Sequence, residues 1–130
     1  MQRIFGRKKE QKKDDATVKK MTDLEQLVGD DKETYDALTS VMFLDPRKIG
    51  TPMKEAVDKA KKSEKEKDFV SAKMWYEIAG GLAIFEGDVK KVIEYYTGAE
   101  RVSGRKYLIL KNPEKAVTKA QEYYKKYLHD

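Results

Sequence analysis

The chain has 130 residues, with 28 Lys and Arg against 23 Asp and Glu, one His and no Cys. That length corresponds to one domain, or to one domain with an appendage. The lack of Cys excludes disulfides, iron–sulfur clusters and thiolate zinc sites, and it is typical of proteins in reducing compartments. Because no run of about 18 apolar residues occurs, we expect no transmembrane helix. These features predict a cytoplasmic protein.

The positive charge is concentrated at the N-terminus. Residues 1–20 hold eight basic and three acidic side chains, a net charge of +5, whereas residues 21–130 carry twenty of each sign and are neutral. The lysines of the first segment repel one another, and the segment has no apolar periodicity. We therefore predict a disordered basic tail over 1–20 and a single helical domain over 21–130. With 39% charged residues and three prolines, a thermophilic origin is possible.

The region after the tail carries two helix-start signals. Thr22 and Glu25 form a capping box, in which each side chain bonds the other residue's backbone N–H. A second start follows at Asp30 or Asp31, so this region is either one kinked helix or two short ones. We expect Pro46 to end it, since the residue before a proline is pushed out of the α region.

The central part of the chain predicts two longer helices. Thr51 as the N-cap and Pro52 at the first helical position start a sparsely apolar helix that runs to about Lys67. Asp68 caps the next helix, which is the most apolar one and the predicted centre of the core. Its Gly80–Gly81 pair weakens the helix by about 1 kcal/mol per Gly relative to Ala. We therefore expect these glycines to permit close helix packing.

Three further segments complete the pattern. Gly87 and Asp88 predict a helix end followed at once by a new cap, and the new helix ends at Gly104. Residues 107–110 are too short and too apolar to assign by period, and they fit either a strand or an extended packing segment. Asn112 opens the last helix. The predicted fold is all-α, a small antiparallel helical bundle of about five helices.

Residue types that usually build an active site are scarce. The single histidine, His129, is next to the C-terminal residue, and we expect it to be exposed. Without Cys or a second His, a transition-metal site would depend on carboxylates, and none has a ligand spacing. The Ser-Gly-Arg-Lys run at 103–106 either binds an anion or, as we favour, ends a helix with cations that complement its dipole. We predict no enzyme activity and no cofactor.

Residues 52–103 resemble two related helical modules. The first likeness, to the helix–turn–helix of a tetratricopeptide repeat, rests on Lys67, Asp68, Phe69, Ala72, Tyr76 and Ala79. The second is to the MIT (microtubule-interacting and trafficking) domain. Residues 95–101 (Tyr-Tyr-Thr-Gly-Ala-Glu-Arg) resemble its third helix, and residues 56–60 (Ala-Val-Asp-Lys-Ala) resemble the start of its first. The resemblance implies a non-enzymatic adaptor that holds a short peptide motif in a groove between helices.

The leading functional hypothesis is therefore a protein–protein interaction domain that binds a partner peptide or helix. We expect its groove beside the helix that carries Tyr95 and Tyr96, with Trp75 and Tyr76 on the neighbouring helix. Aromatic residues at helical spacing are also typical of a core. A groove thus requires that some of these rings be exposed together.

The alternative hypothesis is that the basic tail recruits the domain to an anionic surface. Apolar Ile4 and Phe5 next to cations resemble a weak membrane anchor, and a short Lys-rich segment also attracts nucleic acid without sequence preference. The candidate residues are Arg3, Arg7, Lys8, Lys9, Lys12 and Lys13. A solvated tail that aids solubility is the remaining interpretation. The sequence does not determine the oligomeric state.

Overall fold

The computed structural model of the protein describes residues 23–42 and 44–128. Within these ranges the chain is all-α and contains no strand, which confirms the predicted class. The helices are α1 (residues 23–28), α2 (Lys32–Thr39), α3 (Met53–Lys65), α4 (Phe69–Glu86), α5 (Val89–Ser103) and α6 (Pro113–Tyr127). Two 3₁₀ turns, Pro46–Lys48 and Leu108–Lys111, lie in the connections.

Side-chain caps start four of these helices where the sequence predicts them. Each cap accepts a hydrogen bond from the backbone N–H three residues on, which satisfies an amide that has no partner within the helix. The capping residues are Asp31, Asp68, Asp88 and Asn112. Helix α3 differs from the prediction, because it begins at Met53 and Pro52 occupies the capping position without a side-chain bond.

Glycines end α4 and α5 as predicted. Gly87 and Gly104 adopt the left-handed backbone conformation, with φ of 75° and 73°, which glycine adopts without steric penalty. Helix α3 ends at Lys65, slightly before the predicted Lys67. Lys67 itself has a φ of 62° and turns the chain into α4.

Two segments differ from the sequence prediction. Helix α2 ends at Thr39, well before Pro46, and the hydroxyl of its C-cap, Ser40, donates to the Ala37 carbonyl. Pro46 instead starts a 3₁₀ turn. Residues 107–110 form neither a strand nor an extended segment, since most of them lie in the second 3₁₀ turn, which buries Ile109.

Helices α3, α4 and α5 form two successive antiparallel hairpins. Their connections, 66–68 and 87–88, are so short that neighbouring helices reverse direction, and α3 therefore runs parallel to α5. Helix α4 packs along both, whereas α3 and α5 hardly approach each other. Helix α6 closes the core from another side, and the Gln121 amide ties it to α4 by donating to the carbonyls of Ile84 at 2.6 Å and Phe85 at 2.7 Å.

Tyrosine rings packed on glycines bring α4 and α5 together. The Tyr96 ring of α5 lies on Gly80 of α4, where an ideal Cβ would be 2.5 Å from a ring carbon. The Tyr76 ring of α4 lies in the same way on Gly98 of α5, at 2.7 Å. An ideal Cβ at Gly81 has no atom within 4 Å. Only one glycine of the predicted pair therefore serves helix packing.

We expect Gly80→Ala to lower the free energy of unfolding by about 1–3 kcal/mol, as overpacking does, because Tyr96 is fully buried and cannot move aside. Gly81→Ala is the matched control, since its methyl group meets open space. Its better helix propensity should raise the free energy of unfolding by up to about 1 kcal/mol. Urea denaturation followed by circular dichroism measures both. Equal stability of the two variants would contradict the close Tyr96 contact.

Candidate functional site

The aromatic residues that the sequence places in a groove lie mostly in the core. Tyr76, Tyr95 and Tyr96 are buried. Trp75 is half-buried, and the Lys59 Nζ lies 4.6 Å from its ring centroid. The four rings form no common exposed surface, because two of the tyrosines fill the space between α4 and α5. A docking surface on these helices would therefore involve other residues.

Several sequence predictions concern residues outside the described ranges. They are the disordered tail over 1–20, the capping role of Thr22 and the exposure of His129. The anionic-surface candidates Arg3, Arg7, Lys8, Lys9, Lys12 and Lys13 lie outside those ranges too. All of these stay predictions.

Three side chains form a clasp between α3 and α5 across α4. Arg101 donates to the Glu64 carboxylate twice, from Nε to Oε2 at 2.7 Å and from Nη2 to Oε1 at 2.8 Å. The Tyr76 hydroxyl donates to Glu64 Oε1 at 2.7 Å and accepts from Arg101 at 3.2 Å. Arg101, with help from Tyr76, lowers the pKa of Glu64 to about 2. A carboxylate so firmly ionised and bonded is a structural group rather than a general acid.

A second polar cluster surrounds Glu77 on α4. Its carboxylate accepts from the Tyr107 hydroxyl at 2.5 Å, and Lys73 Nζ lies 3.2 Å from it. Arg105 Nη1 approaches the same carboxylate at 3.9 Å. Burial, and after it Glu77, raises the pKa of Tyr107. Since Gly104 forms the C-cap and Arg105 turns to Glu77, the Ser-Gly-Arg-Lys run ends a helix, as we favoured from the sequence.

Two open grooves flank the beginning of α5. One, of about 520 Å³, lies between α3 and α5 and includes Met53, Val57 and Tyr95. Its charged lining residues balance in sign: Lys54, Asp58, Lys61, Glu86, Lys91 and Glu94. The other, of about 810 Å³, lies between the α4–α5 turn and α6. Neither groove presents a charge of one sign or a converging set of reactive groups.

The first turns of α4 expose three large apolar side chains. Val70 is 83% exposed, Phe69 47% and Met74 45%. Val70 and Met74 lie on one face because they are four residues apart, and Phe69 precedes them at the helix start. We call these three residues the α4 patch. Single exposed apolar residues are ordinary, but adjacent ones are typical of interaction surfaces.

We expect Glu64→Gln to lower the free energy of unfolding at pH 7 by about 1 kcal/mol, which is less than a well-buried hydrogen bond to a charged group contributes, because the Glu64 side chain keeps 27% exposure. The folded-state pKa of about 2 lies below the ordinary 4.5, so this contribution is present above pH 4.5 and is lost as the pH falls through 2. Urea titrations from pH 7 to pH 2 should show the difference from the wild type shrink. Glu66→Gln is the control, because Glu66 is two residues further along, at the C-cap of α3, and is exposed. A pH-independent difference would contradict the clasp.

Among the described residues, no group of three or more His, Cys, Asp and Glu side chains is placed to hold a metal ion. No helix in the described ranges combines the length and the apolar character needed to cross a bilayer. No protein-family model matches the chain, and neither a curated protein nor a solved structure matches it.

Proposed function

We propose that the chain is a non-catalytic helical adaptor that binds another protein through the α4 patch. The supporting observation is the exposure of Phe69, Val70 and Met74 on the most apolar helix of the domain. Each Å² of apolar surface left in water forgoes about 25 cal/mol of burial free energy, which a partner peptide or helix regains by covering the patch.

We retain the function class predicted from the sequence, but we propose the α4 patch as the binding surface instead of a groove beside Tyr95 and Tyr96. Residues Tyr95 and Tyr96 pack inside the domain, whereas the α4 patch lies on the solvent side, within two helical turns before Trp75. The tetratricopeptide and MIT resemblance of residues 52–103 implies the same class and stays a prediction, because unrelated helical proteins share antiparallel hairpins. We also expect the predicted cytoplasmic location.

We expect the double variant Val70→Ser/Met74→Ser to lose a partner that the wild-type chain captures, because the substitutions remove apolar area without adding charge. Crosslinking and affinity capture of the full chain from an extract of its source organism measure this. Ile93→Ser is the matched control, since Ile93 on α5 is 41% exposed and lies outside the patch. Capture that the double variant leaves unchanged, or that Ile93→Ser abolishes equally, would refute the proposal.

A second candidate function rests on the charge of residues 1–20. Eight basic against three acidic side chains favour recruitment of the domain to an anionic surface, either a membrane or a nucleic acid. This function is compatible with the first, because it uses a different part of the chain.

We expect Lys8→Glu/Lys9→Glu/Lys12→Glu in the full chain to abolish cosedimentation with phosphatidylserine vesicles, or retardation of DNA, at low salt. The control reverses three exposed lysines on α3, α5 and α6: Lys61, Lys90 and Lys125. Equal binding by the two triple variants would show that general charge, rather than the tail, is responsible.

A further inference from the structure

Cations border the α4 patch on one flank. Lys73 lies three residues after Val70, so the two side chains are neighbours on the helix surface. Arg105 is brought to the same flank by Glu77, at 3.9 Å, and its side chain is 52% exposed. The Glu77 carboxylate between these cations is 13% exposed and accepts the Tyr107 hydroxyl. A ligand on the patch therefore meets cations here.

Two further cations lie beside residues that adjoin the patch in the sequence. Lys59 on α3 lies over the ring of Trp75, which is the residue that follows Met74 on α4. Lys67, exposed at the α3–α4 turn, precedes Phe69 by two residues. It makes no ion pair with any residue in the described part of the chain. We call Lys59, Lys67, Lys73 and Arg105 the basic rim.

We propose that the α4 patch binds an acidic amphipathic segment of another protein. Apolar side chains of that segment cover Val70 and Met74, and its carboxylates pair with the basic rim. This inference rests on the proposed function and specifies the chemistry of the partner. Complementary charge of this kind selects among partners and speeds their encounter.

The same charges disfavour the occupants that the chain itself supplies. A second copy would bring an identical basic rim to the contact. Its own carboxylates near the patch are largely engaged, since Glu77 pairs with Lys73 and Asp68 caps α4, so most rim cations would face like charge, which is unfavourable. The net charge of +5 on residues 1–20 makes that segment an unfavourable occupant for the same reason. The rim therefore favours a partner other than this chain.

A protein segment also fits better than an anionic bilayer. Glu66 and Asp68 lie immediately before Phe69, and Asp68 is held there as the cap of α4 by the Ser71 N–H at 3.2 Å. A bilayer rich in acidic lipids is negative everywhere and repels both carboxylates when the patch inserts. A polypeptide can place its carboxylates against the cations and leave these positions uncontacted.

Random 16-residue peptides displayed on phage and selected on the full chain test the inference. We expect the enriched peptides to carry Asp and Glu, with apolar residues three or four positions apart. Fluorescence polarization of the best synthetic peptide should show about tenfold weaker binding with Val70→Ser/Met74→Ser. Lys59→Glu/Lys67→Glu should weaken binding about tenfold too, since each reversal turns an exposed attraction into a repulsion. Ile93→Ser and Lys61→Glu/Lys90→Glu serve as controls and should change little.

The outcomes separate this inference from the proposed function. Neutral or basic peptides that still depend on Val70 and Met74 would overturn the acidic partner and leave the docking surface in place. Peptides indifferent to the Val70→Ser/Met74→Ser change would overturn both, and a selection that enriches nothing would count against both. Cosedimentation with phosphatidylserine vesicles that requires Val70 and Met74 would replace the protein partner by a bilayer.

Discussion

The reciprocal packing of tyrosine rings on glycines between α4 and α5 is the contact on which the rest of this domain depends. Tyr96 lies on Gly80 and Tyr76 lies on Gly98, so each helix supplies one ring and one gap. The missing Cβ atoms allow the helices to approach closely over their central turns. A methyl group at either glycine would push the helices apart or force a buried ring to move, and interiors packed at crystal-like density have little space for that.

The polar contacts of the domain follow from this packing. Because the Tyr76 ring is held on Gly98, its hydroxyl is placed between Glu64 and Arg101, where it both donates and accepts. The clasp thus joins α3 to α5, which otherwise hardly meet. On the far side, the Tyr96 ring lies 5.3 Å from the Tyr107 ring, and the Tyr107 hydroxyl reaches the Glu77 carboxylate. Each hydroxyl is satisfied at the edge of an apolar interior, which avoids the penalty of an unpaired buried polar group.

Helix α4 contributes to the core and to the surface at once. One side packs on α3, α5 and α6, and its apolar residues continue around the helix to Val70 and Met74. A helix that is apolar all round is normally covered on every side. The exposed first turns of α4 therefore depart from the usual pattern, and such departures are expected at functional sites. The basic rim lies beside this exposed surface, and its charge is the basis of the acidic partner that we propose.

Helix caps and helix ends can be predicted from the sequence when the contact that defines them lies within one helical turn. The sequence predicts caps at Asp68, Asp88 and Asn112, because a capping side chain accepts from an amide only three residues away. It also predicts helix ends at Gly87 and Gly104, because a glycine in the left-handed conformation ends the helix at its own position. The all-α class followed from apolar periodicity in the same way. The early end of α2 at Thr39 has no such short-range signal, since Pro46 is the nearest helix-breaking residue that follows it in the sequence.

The sequence by itself determined where most helices begin, where α4 and α5 end, that the domain is helical, and that the excess charge of the chain lies in residues 1–20. Only the tertiary structure decided which aromatic residues are core and which apolar residues are surface. The helical spacing is the same for an aromatic residue in the core and for one on a binding surface, as in Trp75, Tyr76, Tyr95 and Tyr96. Which of them is buried depends on neighbours far along the chain. Glu64 and Arg101 are 37 positions apart and carry no local signal of their pairing. The sequence does not reveal the α4 patch for the same reason, since an apolar residue is exposed only where no other helix packs over it.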